Sequence, residues 1–152
     1  MIKTEICDLL GIKYPIIQAA MGPFDTSDLA SAVSNAGALG IVSHPAPSEI
    51  GLIFELLTSE KAQDFIEDVK RRMLVAIKNV NKNTDKPFGL NIRVAPEQPD
   101  APHLVDMIIE EREKDPQLAK KLKLIITSAG DPTLPYLKKI RDAGMLHFHN
   151  VP

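Results

Sequence analysis

Four places in the sequence end a short apolar run on small or polar residues: Gln18-Ala19-Ala20-Met21-Gly22, Ser43-His44-Pro45, Asn91-Ile92-Arg93 and Ser128-Ala129-Gly130-Asp131. Gln18, Asn91 and Ser128 carry amide and hydroxyl groups that can hydrogen-bond a heteroaromatic ring. Alanine and glycine let a flat ligand approach the backbone, and the Met21 thioether can pack on a ring face or edge. Tight turns between strands and helices select small residues for reasons of their own, so these residues alone admit both a binding and a purely architectural reading.

The histidines carry less. His147 and His149 are one residue apart and share a face of a strand, but no Cys/His/Asp/Glu set with ligand spacing accompanies them, and no metal is predicted. His44 falls at a strand's carboxyl end, and His103 at an exposed helix start. Cys7 lies among apolar residues and reads as inert packing. The sequence lacks G-x-G-x-x-G, G-x-x-x-x-G-K-[ST], G-x-S-x-G and H-E-x-x-H.

Elements that position these residues alternate along the chain. Strands are predicted at 14–20, 38–43, 87–94, 123–130 and 145–151, because each is a short apolar run without polar alternation. Helices are predicted between them. Residues 25–37 have a cap at Asp25 or Thr26, a stop at Gly37, and Leu29, Val33 and Ala36 on one face. Residues 48–80 split near Thr58 into two stripes, Ile50/Ile53/Phe54/Leu57 and Phe65/Val69/Met73/Ile77. Residues 103–121 restart at Pro116. Asp131-Pro132 reads as the start of a last helix that runs to Gly144. Strands that alternate with helices predict a parallel sheet, either an open doubly wound sheet or part of a (β/α)8 barrel.

Composition narrows the function classes. The chain has 152 residues, 44% hydrophobic and 25% charged, which suits one globular domain. Its net charge of −2 offers no basic footprint for nucleic acid or an anionic membrane. A single cysteine fits a reducing, cytoplasmic setting. No apolar run reaches the ~20 residues of a membrane span.

Four stretches carry a resemblance: "LLGIKYPIIQAAMG" (9–22), "SNAGALGIVS" (34–43), "FGLNIRV" (88–94) and "ITSAGDPTLPYLKKIRDAGMLHFHNVP" (126–152). Together and in this order they resemble the nitronate monooxygenase (2-nitropropane dioxygenase-like) family, to which flavin-dependent enoyl-acyl-carrier-protein reductases are related. The resemblance implies parallel βα units forming the N-terminal five-strand portion of a TIM (β/α)8 barrel, a partial FMN-binding domain over residues 1–152. It implies FMN contacts at Ala19, Ala20, Met21, Gly22 and Asn91. It puts Ser128, Ala129, Gly130 and His44 on the substrate side of the rim, although the family often has a Gly-rich turn where this chain reads "SHPAPS".

The family's catalytic histidine, in "E-G-x-x-A-G-G-H", and the Gly-rich turns that hold the flavin phosphate have no counterpart here. No catalytic residue is therefore assigned, and the chain is expected to bind FMN weakly and to be incomplete for catalysis. The implied activity is oxidation of alkyl nitronates with O2. The alternatives are enoyl-ACP or quinone reduction with NAD(P)H, and a non-catalytic half-barrel. Expected partners are a small-molecule substrate and, because an open sheet exposes its edges, a second copy in a homo-oligomer.

Overall fold

The computed structural model describes residues 3–22, 24–45, 61–96 and 98–151. The elements are α1 (Glu5–Leu10), α2 (Ser27–Ala36), β1 (Gly40–Val42), α3 (Lys61–Asn83), β2 (Phe88–Arg93), α4 (Ala101–Lys114), α5 (Pro116–Lys121), β3 (Leu122–Ser128), a short 3-10 turn (Pro135–Leu137), α6 (Lys138–Asp142) and β4 (Leu146–Asn150). The four strands form one sheet in the order β1-β2-β3-β4, and every pair is parallel. Sequential parallel strands, each reached through a helix, are the arrangement of a partial (β/α)8 barrel.

The predicted strand over 14–20 shrinks to a single bridge between Ile17 and Leu39. Its backbone makes only the Gln18 N–H to Leu39 carbonyl and Leu39 N–H to Ile16 carbonyl bonds, both 2.9 Å. The Gln18 side chain then continues the ladder. Its Nε2 donates to the Ile41 carbonyl at 3.1 Å, and its Oε1 accepts the Ile41 N–H at 3.3 Å. An amide side chain has the donor and acceptor of a peptide, so the segment is held without strand geometry.

Period-two alternation sorts the strand side chains. Phe88, Leu90 and Ile92 join Val42 and Ile125 in a core shared with Val69, Met73 and Ile77 of α3 and Leu104 and Ile108 of α4. The stripe predicted for α3 thus faces the sheet, with Phe65 only partly buried against it. The stripe at Ile50–Leu57 lies outside the described residues. On the opposite face, α1 closes the amino end of the sheet with Cys7, Leu10 and Ile12 against Leu39, Ile41 and Leu124. Cys7 is a buried free thiol there.

Two further expectations fail, beside the fifth strand that the sheet lacks among the described residues. The face Leu29/Val33/Ala36 of α2 is not the buried one. Leu29 is 49% exposed, and the helix turns Ser27, Ala30, Ser31 and Ser34 inward. The cause is close approach, since Gly40 of β1 lies directly under the Ala30 peptide and leaves room only for small residues. The last helix does not start at Asp131-Pro132. The Asp131 carboxylate caps a local turn through the Thr133 N–H at 2.7 Å, and regular helix begins at Lys138. That short-range bond competes with helix entry. It also holds the Asp131 carboxyl below its ordinary value, with the Thr133 hydroxyl as the largest cause.

Candidate functional site

A cleft of about 560 Å³ opens at the carboxyl ends of the strands, the end where parallel α/β folds bind ligands. Gln18, Ala19, Ala20, Gly22, His44, Asn91 and Ser128 all line it. The chain therefore brings together residues from the four turns that the sequence singled out. Met21 stands at the same end but outside the lining, its side chain 57% exposed and its N–H donated to Ser43 Oγ at 2.7 Å. Ala129 and Gly130 are likewise outside the lining.

The Ser128-Ala129-Gly130 turn has an architectural cause. The Ser128 carbonyl accepts the Val94 N–H at 2.8 Å, and Gly130 lies so close to the Val94 carbonyl that a Cβ there would fall 2.6 Å from its carbon. Ala129 takes the left-handed φ of 60°, which is uncommon outside glycine. The small residues of this turn answer first to backbone contact. Ser128 alone turns its side chain to the cleft and to Asn91.

Asn91 is 7% exposed and projects from the inner face of β2. Its Nδ2 lies 3.2 Å from the Ile126 carbonyl and 3.3 Å from Ser128 Oγ, which leaves Oδ1 as the group it can offer a ligand. Gln18 is held by Ile41 through both its Nε2 and its Oε1, which fixes the orientation of its amide. Ala19 and Ala20 are exposed in the cleft and present backbone without side-chain bulk.

His44 is 2% exposed and uses both ring nitrogens. Nδ1 accepts the Arg93 N–H at 3.2 Å, so Nε2 carries the proton of the neutral ring. Nε2 lies 2.8 Å from Oδ2 of Asp100, which is fully buried, in a contact not aligned as a straight hydrogen bond. His44 is thus a clip between the ends of β1 and β2 and the start of α4. Asp100 occupies the cap position of α4 but makes no capping bond, because its carboxylate is turned inward to the imidazole. Burial, with the Asp100 charge adding to it, pushes the Tyr136 hydroxyl above its ordinary value. Sequence reading passed over Asp100, because only the fold places it beside His44. It noted Arg93 as a strand end without assigning it, although Arg93 also lines the cleft.

His147 and His149 share the face expected of a strand. Thr127 Oγ1, fully buried, lies 2.8 Å from His147 Nε2 and 2.8 Å from His149 Nδ1. Among the described residues no group of three His, Cys, Asp or Glu is placed to hold a metal ion. Burial, then the Arg141 and His149 charges, hold the His147 imidazole below its ordinary value of 6.5. The folded state therefore binds a proton at His147 less readily than the unfolded chain does. This stability is fully present above about pH 6.5 and is lost as pH falls from there through the lower folded value. Urea unfolding at pH 7.5 and 5.5 should show the wild type losing more on acidification than His147→Gln. Equal losses would remove His147 as the cause.

The chain matches the family described as nitronate monooxygenase over residues 3–151. It is 30% identical over 146 residues to the (3aS,4S,5R,7aS)-5-hydroxy-7a-methyl-1-oxo-octahydro-1H-indene-4-carboxyl-CoA dehydrogenase of Rhodococcus jostii (strain RHA1), a match covering 93% of this chain and 35% of that protein. It is 40% identical over 84 residues to the nitronate monooxygenase of Pseudomonas aeruginosa, which covers 55% of this chain and 18% of that protein. Its fold is similar to a FabK from Thermotoga maritima, with a TM-score of 0.68 at 30% identity over 99% of this chain and 38% of that one. The chain spans about 35% of the length of the dehydrogenase that it matches along most of its own length. With the family matched from end to end and the parallel sheet carrying its cleft at the strands' carboxyl ends, this chain belongs to the nitronate monooxygenase family.

Proposed function

We propose that the chain is the N-terminal part of an FMN-dependent oxidoreductase that oxidises alkyl nitronates with O2, and that the cleft receives the flavin ring. The observation that carries this reading is the convergence of Ala19, Ala20, Asn91 and Ser128 on one cleft at the carboxyl ends of parallel strands. The residues fit a flat heteroaromatic group. Two exposed alanines offer a close backbone surface, Asn91 keeps an acceptor free, and Ile126 and Phe148 supply apolar walls.

Bound flavin supplies two-electron redox chemistry, and the protein supplies orientation and surroundings. Asn91, fixed by Ile126 and Ser128, sets the in-plane position of a ring. Met21, Gly22, Ala129 and Gly130 shape the rim around the opening. His44, with both nitrogens occupied, holds the strand ends and takes no proton from substrate. No side chain in the described cleft is assigned as the catalytic base.

A second reading is reduction of an enoyl thioester or a quinone with NAD(P)H. The likeness to the carboxyl-CoA dehydrogenase over 93% of this chain favours it. Oxygen uptake with a nitronate, set against NAD(P)H oxidation, separates the two. The partners proposed are small molecules, with self-association through the open sheet edges, where Ile16 is 58% exposed.

Titration of the chain with FMN, followed by flavin fluorescence, tests the site itself. Weak, saturable quenching is expected, because the Gly-rich turns that hold the flavin phosphate in the family have no counterpart in this sequence. Ala20→Trp should abolish it by filling the cleft from an exposed position. Unchanged quenching in Ala20→Trp would place the ring elsewhere.

A further inference from the structure

We propose that Ser43 is a positioning residue of the cleft, and that its hydroxyl pins the turn at residues 19–22 in the shape that receives a flat ring. Regular pairing of this segment stops at the bridge between Ile17 and Leu39. Beyond it, two side chains stand in for the missing ladder. Gln18 reaches across to both backbone groups of Ile41. Ser43, the residue after β1, reaches back, and its Oγ accepts the Met21 N–H at 2.7 Å. Among the described residues this is the one hydrogen bond that ties residues 19–22 to the rest of the chain.

Met21 sits between Ala20 and Gly22, which both line the cleft. Ser43 is 3% exposed and does not line it. The bond therefore holds the turn from behind and blocks none of the surface that Ala19 and Ala20 present. The exit of the turn is fixed as well. A Cβ at Gly22 would lie 3.3 Å from the His44 carbonyl oxygen, so the chain passes close to the residue that follows Ser43.

Ser43 is itself held in place. Thr26 Oγ1, also buried, accepts the Ser43 N–H at 2.9 Å. The same oxygen lies 3.2 Å from Ser43 Oγ and 3.0 Å from the Ile41 carbonyl. A buried hydroxyl pair tied to this many partners has little rotamer freedom, so the acceptor for Met21 is presented at one place.

The consequence is for binding. Ala19 and Ala20 have only methyl groups and cannot hold the turn themselves. A turn already in the binding shape spares the ligand the cost of ordering it. Where that shape is populated only in part, the apparent affinity falls by the same fraction. Removing the Ser43 hydroxyl frees the turn and leaves the Met21 N–H without its acceptor. This role rests on the cleft receiving a flavin ring, as proposed above, and the experiment below separates the two.

Lumiflavin, the ring without its phosphate-bearing chain, is titrated into wild type, Ser43→Ala and Ser43→Thr, with fluorescence quenching as the readout. Saturable quenching is expected for wild type. Ser43→Ala should bind about fivefold more weakly, the factor that one ordinary hydrogen bond represents. Ser43→Thr keeps the hydroxyl and should restore wild-type binding. If Ser43→Ala loses its cooperative unfolding transition, Ser43→Cys replaces it, because a thiol is close in shape to the hydroxyl and accepts only weakly.

Equal affinity in wild type and the folded variant that lacks the hydroxyl overturns the role of Ser43 and leaves the flavin reading standing. Binding by Ser43→Thr as weak as that variant's would put the effect down to packing, which also overturns it. A wild-type chain that lumiflavin does not saturate overturns both, since the cleft then receives no ring.

Discussion

Gly40→Ala should unfold the chain or cost it at least about 3 kcal/mol, at the upper end of what overpacking usually costs. A Cβ at this position would lie within the Ala30 carbonyl group, 2.6 Å from its carbon and 2.7 Å from the Ala30 Cα. Both partners are backbone, so no rotamer change relieves the clash. Helix α2 would have to lift off β1, and lifting it would break contacts that depend on the close approach. Ser34 Oγ accepts the Gly40 N–H at 3.1 Å and donates to the Pro87 carbonyl at 2.8 Å. Thr26 Oγ1 accepts the Ser43 N–H at 2.9 Å. Urea unfolding measures the loss. Gly144 serves as the contrast, because a Cβ there meets nothing within 4 Å, and Gly144→Ala is penalised only by its φ of 74°. A Gly40→Ala chain as stable as wild type would show that α2 does not pack on β1 at this distance.

His44→Leu should cost about 3 kcal/mol or more, the cost of leaving a buried charged group without its hydrogen-bonding neighbour. The variant leaves the Asp100 carboxylate fully buried without the one charged or ring partner it has among the described residues, and it strips the Arg93 N–H of its acceptor. The size of the loss comes from the stranded acid more than from the missing imidazole. The double variant His44→Leu/Asp100→Leu should therefore be more stable than the sum of the single losses predicts, since it removes the uncompensated charge along with its partner. Denaturant midpoints of the four proteins in the cycle give the coupling. Additive losses would mean that the two side chains do not depend on each other.

These two residues mark where sequence reading reached and where it stopped. Helical periodicity placed Val69, Met73, Ile77, Leu104 and Ile108 against the sheet, and the structure buries each of them. Large side chains at steps of three and four have nowhere else to go in a helix laid on a sheet. The same logic misread α2, because its contact face is chosen by distance and not by hydrophobicity. Only small residues fit above Gly40, so Ala30, Ser31 and Ser34 go in and Leu29 stays out. Small residues carry little signal in an apolar pattern, and nothing local announces a close approach.

The site divides in the same way. That the chain alternates parallel strands with helices was written in its apolar runs, stop residues and caps, which are local features. Their order also fixed which end of the sheet collects the turns, so Ala19, Ala20, Asn91, Ser128 and His44 could be named together from sequence. Tertiary structure alone decided what each is free to do. Gln18 spends its amide on a strand edge, Gly130 answers to the Val94 carbonyl, and Asp100 leaves the cap position it occupies to face His44. Among the described residues, Arg93 Nε and Nη2 find no hydrogen-bond partner. Such assignments depend on which partners, dozens of residues away in the chain, arrive within about 3 Å, the reach of a hydrogen bond. Spacing along the sequence does not encode that distance; packing does.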